Sequence, residues 1–105
     1  MMGLAAVLET ERREALSVIE DPTNVLHRIL PQSGDCGYCL INCIDWYGNT
    51  TFNYLQAPRF LSEWTRLGEA TATNDKEAAR VVEGIRSLAE RLQREVHVYL
   101  TFYGD

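Results

Sequence analysis

The final segment of the chain constrains its fold more than any other feature. Its side chains form two alternating sets, one apolar and one polar or aromatic: Val96, Val98, Leu100 and Phe102 against His97, Tyr99, Thr101 and Tyr103. Because the side chains of a β-strand point alternately to opposite faces, this pattern predicts a strand whose apolar face is buried. The chain must therefore provide other strands that pair with it and an apolar layer that covers it.

A second extended region is predicted in the middle of the chain. Aromatic and β-branched residues favour a strand from about Cys39 to Tyr47. Gly48-Asn49 has Gly first and fits a type II′ turn, so the chain is expected to return as a second strand over Thr50 to Leu55. This hairpin and the C-terminal strand together predict a three-stranded, mainly antiparallel sheet. The sequence leaves the order of its strands open.

About four helices are predicted to pack with this sheet, in the order α-α-β-β-α-α-β, which is typical of the α+β class. Apolar spacing and capping residues place them at Leu4 to Glu20, Asp21 to Leu30, Pro58 to Gly68, and from the Asn74 N-cap to the C-terminal strand. In the first helix, Glu9 and Arg13 are expected to form an i,i+4 ion pair, while Glu11 interrupts the apolar stripe. In the last helix, Gly84 is expected on the side away from the apolar stripe.

The composition predicts a single globular domain over residues 1–105, located in the cytoplasm. The chain has 105 residues, 46% of them hydrophobic, which suffices for one core. Three cysteines are an odd number, unlike a secreted disulfide scaffold, and no apolar run reaches the roughly 18 residues of a membrane span. A net charge of -5 argues against nucleic-acid binding and favours a basic partner. The acids expected at the surface are Glu9, Glu14, Glu63, Glu69, Glu83, Glu90 and Glu95.

The sharpest motif is Cys36-Gly37-Tyr38-Cys39, a C-x-x-C, with Cys43 four residues further on. Redox catalysis would need the first thiol at a helix N-terminus, whereas a strand is expected here. Zinc is an alternative cofactor, bound by the three thiols and His27 or His97. It requires a helical turn between Cys39 and Cys43, because an extended segment would hold them about 13 Å apart. The preferred interpretation assigns no cofactor: Cys39 and Cys43 pack as small buried residues, and Cys36 lies in the loop.

No catalytic motif supports an enzyme. The chain contains no phosphate-binding loop, no nucleophile elbow and no zinc-protease signature. A small-molecule pocket with His97, Tyr99 and Asp45 is an alternative, since a general base needs a nucleophile or an acid beside it. No spacing in the sequence forces these three residues together.

The segment around the predicted turn is dense in aromatic and amide side chains, a composition typical of protein-binding surfaces. The C-terminal strand adds tyrosines on its non-core face. The leading hypothesis is a non-enzymatic protein-interaction module, an inhibitor or adaptor, with its surface formed by Asp45, Trp46, Tyr47, Asn49, Asn53, Tyr99 and Tyr103. The alternative is that helices cover this face, so that the rings form a second small core.

Two further expectations concern partners. A three-stranded sheet leaves edges that need covering, so a homodimer through an uncovered face or edge is compatible with the sequence. The small size, the acidity and the lack of a catalytic motif are similar to those of the immunity proteins that neutralise bacterial toxins. This resemblance implies binding to another protein.

Overall fold

The computed structural model describes residues 4–31, 37–71 and 74–104. Within these ranges the elements are β1 (Ala5–Thr10), β2 (Ala15–Glu20), α1 (Val25–Ile29), a 3₁₀ turn (Ile41–Cys43), β3 (Asn49–Phe52), α2 (Ala57–Ala70), α3 (Lys76–Arg94) and β4 (Val98–Tyr103). The strands form one antiparallel sheet in the order β2-β1-β4-β3. The predicted α+β class and antiparallel sheet are confirmed. The sheet has four strands instead of three, and the described ranges contain three helices instead of about four.

The segment predicted as the first helix is a β-hairpin, so that prediction is wrong. β1 lies in the middle of the sheet and pairs with both β2 and β4. The residues from Leu4 to Leu8 form a continuous apolar run, which fits a helix as well as a central strand. The predicted ion pair between Glu9 and Arg13 does form, at 3.2 Å, but it spans the hairpin turn. Arg13 adopts a left-handed backbone there, with φ 66°.

The predicted hairpin between Cys39 and Leu55 is also wrong. Its first half contains the 3₁₀ turn instead of a strand, and β3 pairs with β4. The reason lies in α2, which supplies a buried carboxylate to this segment. Oε1 of Glu63 accepts hydrogen bonds from the main-chain N–H groups of Cys39, Leu40 and Ile41 at 3.0, 3.0 and 3.1 Å. An anion at the N-terminus of a helical turn satisfies N–H groups that the turn itself leaves without partners.

Glu63 was expected at the surface, yet its residue surface is only 2% exposed. Burial alone would raise the pKa of this carboxyl group. The hydrogen bonds from Ile41, Leu40 and Cys39, together with the Arg59 guanidinium at 3.2 Å, outweigh burial and lower the pKa of Glu63. The carboxylate therefore stays charged and clamps the 3₁₀ turn onto α2.

The helices cover one face of the sheet. Aromatic rings form the centre of this core: Phe60 of α2 lies 5.1 Å from Phe52 of β3 and 5.9 Å from Phe102 of β4, and it stacks on Trp64 at 5.6 Å. The predicted inward face of β4 is confirmed for Val98, Leu100 and Phe102, all of which are buried.

Two predictions at the border of the helix layer are wrong. Val96 is 66% exposed, because the left-handed backbone of His97 (φ 62°) interrupts the alternation before β4 begins. Gly84 faces the sheet instead of lying away from the core. A Cβ atom at this position would lie 2.6 Å from Cδ1 of Ile19, so the missing side chain lets α3 approach β2 closely.

Both longer helices lie close to their predicted positions. The N-cap of α3 is Asp75, one residue after the predicted Asn74, and its side chain accepts hydrogen bonds from the N–H groups of Glu77 and Ala78. Asp21 was predicted as the N-cap of a short helix that begins at Pro22, but α1 begins at Val25 and its N-cap is Asn24. The Asp21 carboxylate nevertheless accepts hydrogen bonds from the N–H groups of Val25 and Leu26, at 2.7 and 2.8 Å.

We expect Glu63→Gln to lower the free energy of unfolding at pH 7 by roughly 1–3 kcal/mol, since it weakens a buried, charge-assisted set of hydrogen bonds. The folded-state pKa of Glu63 is lowered, so its contribution is full above the unfolded pKa of about 4.3 and is lost as the pH falls through the folded pKa. Urea denaturation at pH 7 and at pH 3 should therefore show the difference between wild type and variant shrinking in acid.

Glu69→Gln is the matched control, because Glu69 lies exposed on the same helix. It should change the free energy of unfolding by less than about 0.5 kcal/mol at either pH. If Glu63→Gln lowered the free energy of unfolding by the same amount at pH 7 and at pH 3, the charge of Glu63 would not be what stabilises the turn.

Candidate binding face of the sheet

The sheet has a second face that points away from the helices. The strand register places ten residues on this open face: Ala5, Val7 and Glu9 of β1, Val18 and Glu20 of β2, Asn49 and Thr51 of β3, and Tyr99, Thr101 and Tyr103 of β4. None of these ten belongs to the apolar core that the described helices form with the sheet. The open face therefore carries its own, more polar, set of interactions.

A buried carboxylate, that of Glu9, lies at the centre of the open face. Glu9 was expected at the surface, but it is only 3% exposed. The Tyr103 hydroxyl donates to its Oε1 at 2.5 Å, the Thr101 hydroxyl donates to Oε2 at 2.8 Å, and Arg13 lies 3.2 Å from Oε2. A charge buried at this depth is tolerated only when donors compensate it, and three side chains do so here.

The direction of these hydrogen bonds follows from counting protons. Thr101 has one hydroxyl proton and gives it to Glu9, so the Thr51 hydroxyl must be the donor in its 3.0 Å contact with Thr101. Tyr103 likewise donates to Glu9 and accepts from Arg13 at 3.2 Å. One connected network therefore joins β3, β4, β1 and the turn between β1 and β2.

The side chains in this network alter one another's pKa values. Burial raises the pKa of Tyr103, and its hydrogen bond to Glu9 raises it further, against the opposing effect of Arg13. Tyr103 therefore remains protonated and acts as a donor at neutral pH. The pKa of Arg13 is raised above its already high value, first by the Tyr103 hydroxyl and then by Glu9. Arg13 thus stays positive and neutralises the buried carboxylate.

A small cleft opens beside this network. Its volume is about 220 Å³, and its lining residues are Glu9, Thr10, Glu11, Arg13, Thr51 and Tyr99. Glu11 is exposed and lies 3.0 Å from Nδ1 of His97. A second groove, of about 250 Å³, is lined by Tyr99, Asn53 and Tyr54 among others. Tyr99 thus borders both depressions.

The structure divides the predicted surface residues into two groups. Asn49, Tyr99 and Tyr103 lie on the open face, and Asn53 shares a groove with Tyr99. Asp45, Trp46 and Tyr47 line a separate groove. That loop is tied to the far end of β4, where the N–H of Gly104 donates to the carbonyl of Gly48.

The alternative pocket of His97, Tyr99 and Asp45 is not assembled. His97 and Tyr99 share a groove at the start of β4, whereas Asp45 lies beyond its end. A strand of six residues separates these positions by roughly 20 Å.

Trp46 and Tyr47 are adjacent in sequence but differ in environment. Trp46 is partly buried, packs against the core and contacts the His27 ring edge-on at 5.2 Å. Tyr47 is 82% exposed. Trp46 therefore packs against the main core, and Tyr47 is the residue of this pair whose ring is open to solvent.

The cysteines do not pack as the small buried strand residues that the sequence predicted. Cys36 lies outside the described residues. Cys39 and Cys43 are exposed, so their predicted burial is wrong; the segment forms a turn and not a strand. The guanidinium of Arg59 donates to Sγ of Cys39 at 3.0 Å, and Sγ of Cys43 lies 3.5 Å from the Cys39 carbonyl.

The helical turn that zinc binding required is present between Cys39 and Cys43. Among residues 4–31, 37–71 and 74–104, however, no three His, Cys, Asp or Glu side chains are grouped so as to hold a metal ion. The two histidines contact other residues, His27 the Trp46 ring and His97 the Glu11 carboxylate. A zinc site that includes Cys36 stays a prediction.

Sequence reasoning missed the residues that build the open-face network. Glu9 and Arg13 were recognised as a pair but assigned to a helix, and Thr51 and Thr101 were not singled out. The one available signal was Glu11, which interrupts the apolar stripe of the supposed helix. An acid inside a helical stripe indicates that the helical period is wrong.

The chain matches no protein-family profile, no curated protein and no solved structure. Any function must therefore be argued from the geometry of its own residues. In the part of the chain that the structure describes, no helix is both long enough and apolar enough to cross a membrane.

We expect Tyr103→Phe to lower the free energy of unfolding by about 1–3 kcal/mol, because it leaves Oε1 of the buried Glu9 without this donor. Thr101→Val should have a similar effect through Oε2. In a double-mutant cycle measured by urea denaturation, the two losses should not add, since both act on one carboxylate. Tyr47→Phe, on an exposed ring, serves as the control and should be neutral. Strict additivity would show that the two hydroxyls do not share Glu9.

The loop residues give a second prediction. Trp46→Ala should lower the free energy of unfolding by about 1–3 kcal/mol, because it removes a partly buried ring from the core. Tyr47→Ala should change it by less than about 0.5 kcal/mol. Thermal unfolding followed by circular dichroism compares the two variants directly. Equal losses would mean that the Tyr47 ring also packs against the protein.

Proposed function

We propose that this chain is a non-enzymatic protein-interaction module that binds a basic partner through the open face of its sheet. The observation that carries the proposal is the cleft beside Glu9, on a face that no described helix covers. The proposed surface has Tyr99 at its centre and Asn49, Asn53 and Tyr103 around it.

The charge of the cleft favours a cationic side chain. Arg13 already neutralises Glu9, and His97 carries a charge only when protonated. The lining of the cleft thus contains one more acid, the exposed Glu11, than it contains basic side chains. The Tyr99 ring on the same cleft can contact a cation through its π face. An arginine or lysine side chain of a partner protein supplies both interactions, and the net charge of -5 attracts such a partner from a distance.

The size of the cleft argues against a cofactor or a drug-sized ligand. Its volume of about 220 Å³ is below the roughly 300–1,000 Å³ of typical small-molecule sites. Three donors already bind the Glu9 carboxylate and hold it in place, so this carboxylate is a poor candidate for a general base. A single side chain that projects from a protein surface fits the available space better.

Inhibitors, adaptors and immunity-like proteins are the classes that this proposal covers. Since such proteins act by covering a surface of another protein, none of them needs a catalytic group. A cytoplasmic location, expected from the odd number of cysteines, and an absence of nucleic-acid binding, expected from the net charge, belong to the same proposal.

The test uses a blocked Gly-Arg-Gly peptide as a probe for a basic side chain. Titration of ¹⁵N-labelled protein should shift the amide signals of residues 9–13, 51 and 99 and leave those of α2 unchanged. The double variant Glu11→Gln/Tyr99→Leu removes the charge and the ring, and should weaken the peptide roughly tenfold. A blocked Gly-Glu-Gly peptide should produce no shifts.

The matched control is Glu69→Gln/Tyr47→Leu, which makes the same chemical changes at exposed positions outside the cleft. It should bind the Gly-Arg-Gly peptide as the wild type does. Shifts spread evenly over all acidic surfaces, or an equal loss in the control variant, would overturn the proposal.

A further inference from the structure

The groove of about 250 Å³ next to the Glu9 cleft has a mainly apolar lining. Its lining residues are Asn53, Tyr54, Val96, His97, Val98 and Tyr99. Tyr99 belongs to β4, which lies between β1 and β3. Glu9 is its partner in β1, and Asn53 directly follows the end of β3. The cleft and the groove therefore lie side by side at one end of the sheet and share Tyr99 as a wall.

Two local features of the backbone keep apolar side chains open to the groove. The left-handed backbone of His97 turns Val96 away from the core and leaves it 66% exposed. In the segment between β3 and α2, the N–H of Asn53 donates to Oε1 of Gln56 at 2.8 Å, and the N–H of Gln56 donates to Oδ1 of Asn53 at 3.2 Å. This turn presents Tyr54, which is 48% exposed. A partner that covered Val96 and Tyr54 would remove apolar surface from water, which is favourable.

The charge of the adjoining cleft identifies the partner that can use the groove. The cleft contains one more acid than basic side chains, whereas the described residues that line the groove include neither an acid nor a lysine or arginine. A cationic side chain is therefore complementary to the cleft, and an apolar one is complementary to the groove. One segment of a partner can supply both, because the two depressions meet at Tyr99.

The spacing of the two depressions indicates how far apart these side chains lie in the partner. Neighbouring strands are about 4.8 Å apart, so the two sides of β4 are separated by roughly 10 Å. In an extended segment, side chains two residues apart point the same way and start about 7 Å apart. The length of an arginine or lysine side chain spans the difference.

We infer that the groove is a specificity pocket for an apolar side chain that lies two residues from the basic side chain in an extended segment of the partner. This inference rests on the function proposed above, because the basic side chain brings the segment to the groove. It extends that function by naming the partner's chemistry: an arginine or lysine with a leucine-like residue two positions before or after it. The groove volume suits one such side chain better than a drug-sized ligand.

The experiment compares two blocked peptides, Gly-Gly-Arg-Gly-Gly and Leu-Gly-Arg-Gly-Leu, by titration of the ¹⁵N-labelled full chain. The second peptide carries leucine on both sides of the arginine, so the direction of the bound segment does not matter. Both peptides should shift the amide signals of residues 9–13, and only the leucine peptide should also shift those of residues 53, 54 and 96–98. The leucine peptide should bind roughly tenfold more tightly, because it buries apolar surface in the groove. Leu-Gly-Glu-Gly-Leu should produce no shifts.

The double variant Tyr54→Ser/Val96→Ser removes the apolar walls of the groove. It should bind both peptides with the affinity that the wild type has for the glycine peptide. The matched control is Tyr47→Ser/Val18→Ser, which makes the same substitutions at exposed positions outside the groove and should keep the preference for leucine. Circular dichroism checks that both variants are folded.

The outcomes separate this inference from the proposed function. If both peptides shifted the cleft signals with equal affinity, the specificity pocket would be wrong and the basic partner would stand. If neither peptide shifted them, both would fail together. A leucine preference that survived Tyr54→Ser/Val96→Ser, or that was lost equally in the control variant, would also overturn the inference.

Discussion

The pairing of β1 with β4 is the interaction on which the rest of this structure depends. It brings the beginning and the end of the chain together in the middle of the sheet, with Ala5 opposite Tyr103 and Thr10 opposite Val98. β2 can then join one side and β3 the other. The same register places Thr101 and Tyr103 within reach of Glu9. Fold and candidate site therefore share one cause, a contact between residues that are far apart in sequence.

Two buried carboxylates secure the parts of the chain that local preferences leave undecided. Glu9 ties the β1–β2 turn to β4 through Arg13 and Tyr103, and Glu63 ties the 3₁₀ turn to α2 through main-chain N–H groups. Each is surrounded by hydrogen-bond donors that compensate its burial. Such groups cost free energy to bury and define one arrangement of donors, which makes them organisers of local structure.

The one-sided packing of the sheet carries the functional argument. Since the helices occupy one face, the other is left mainly to polar side chains and to a small cleft that Glu9 and Glu11 line. The proposed basic partner would place a single cationic side chain in this cleft.

The sequence alone determined the elements whose pattern is local. Alternation located β4, and amphipathic spacing together with Pro58, Gly68 and Asn74 located α2 and α3 to within a few residues. The hairpin at the start of the chain and the turn at Cys39 were decided only by tertiary structure. The apolar run of β1 has no unambiguous period, so the local sequence does not distinguish a helix from a strand there. The turn at Cys39 is stabilised by hydrogen bonds to Glu63, which lies on a helix further along the chain. Glu9 and Glu63 read as ordinary surface acids in the sequence, because a carboxylate becomes buried only where folding brings its donors together.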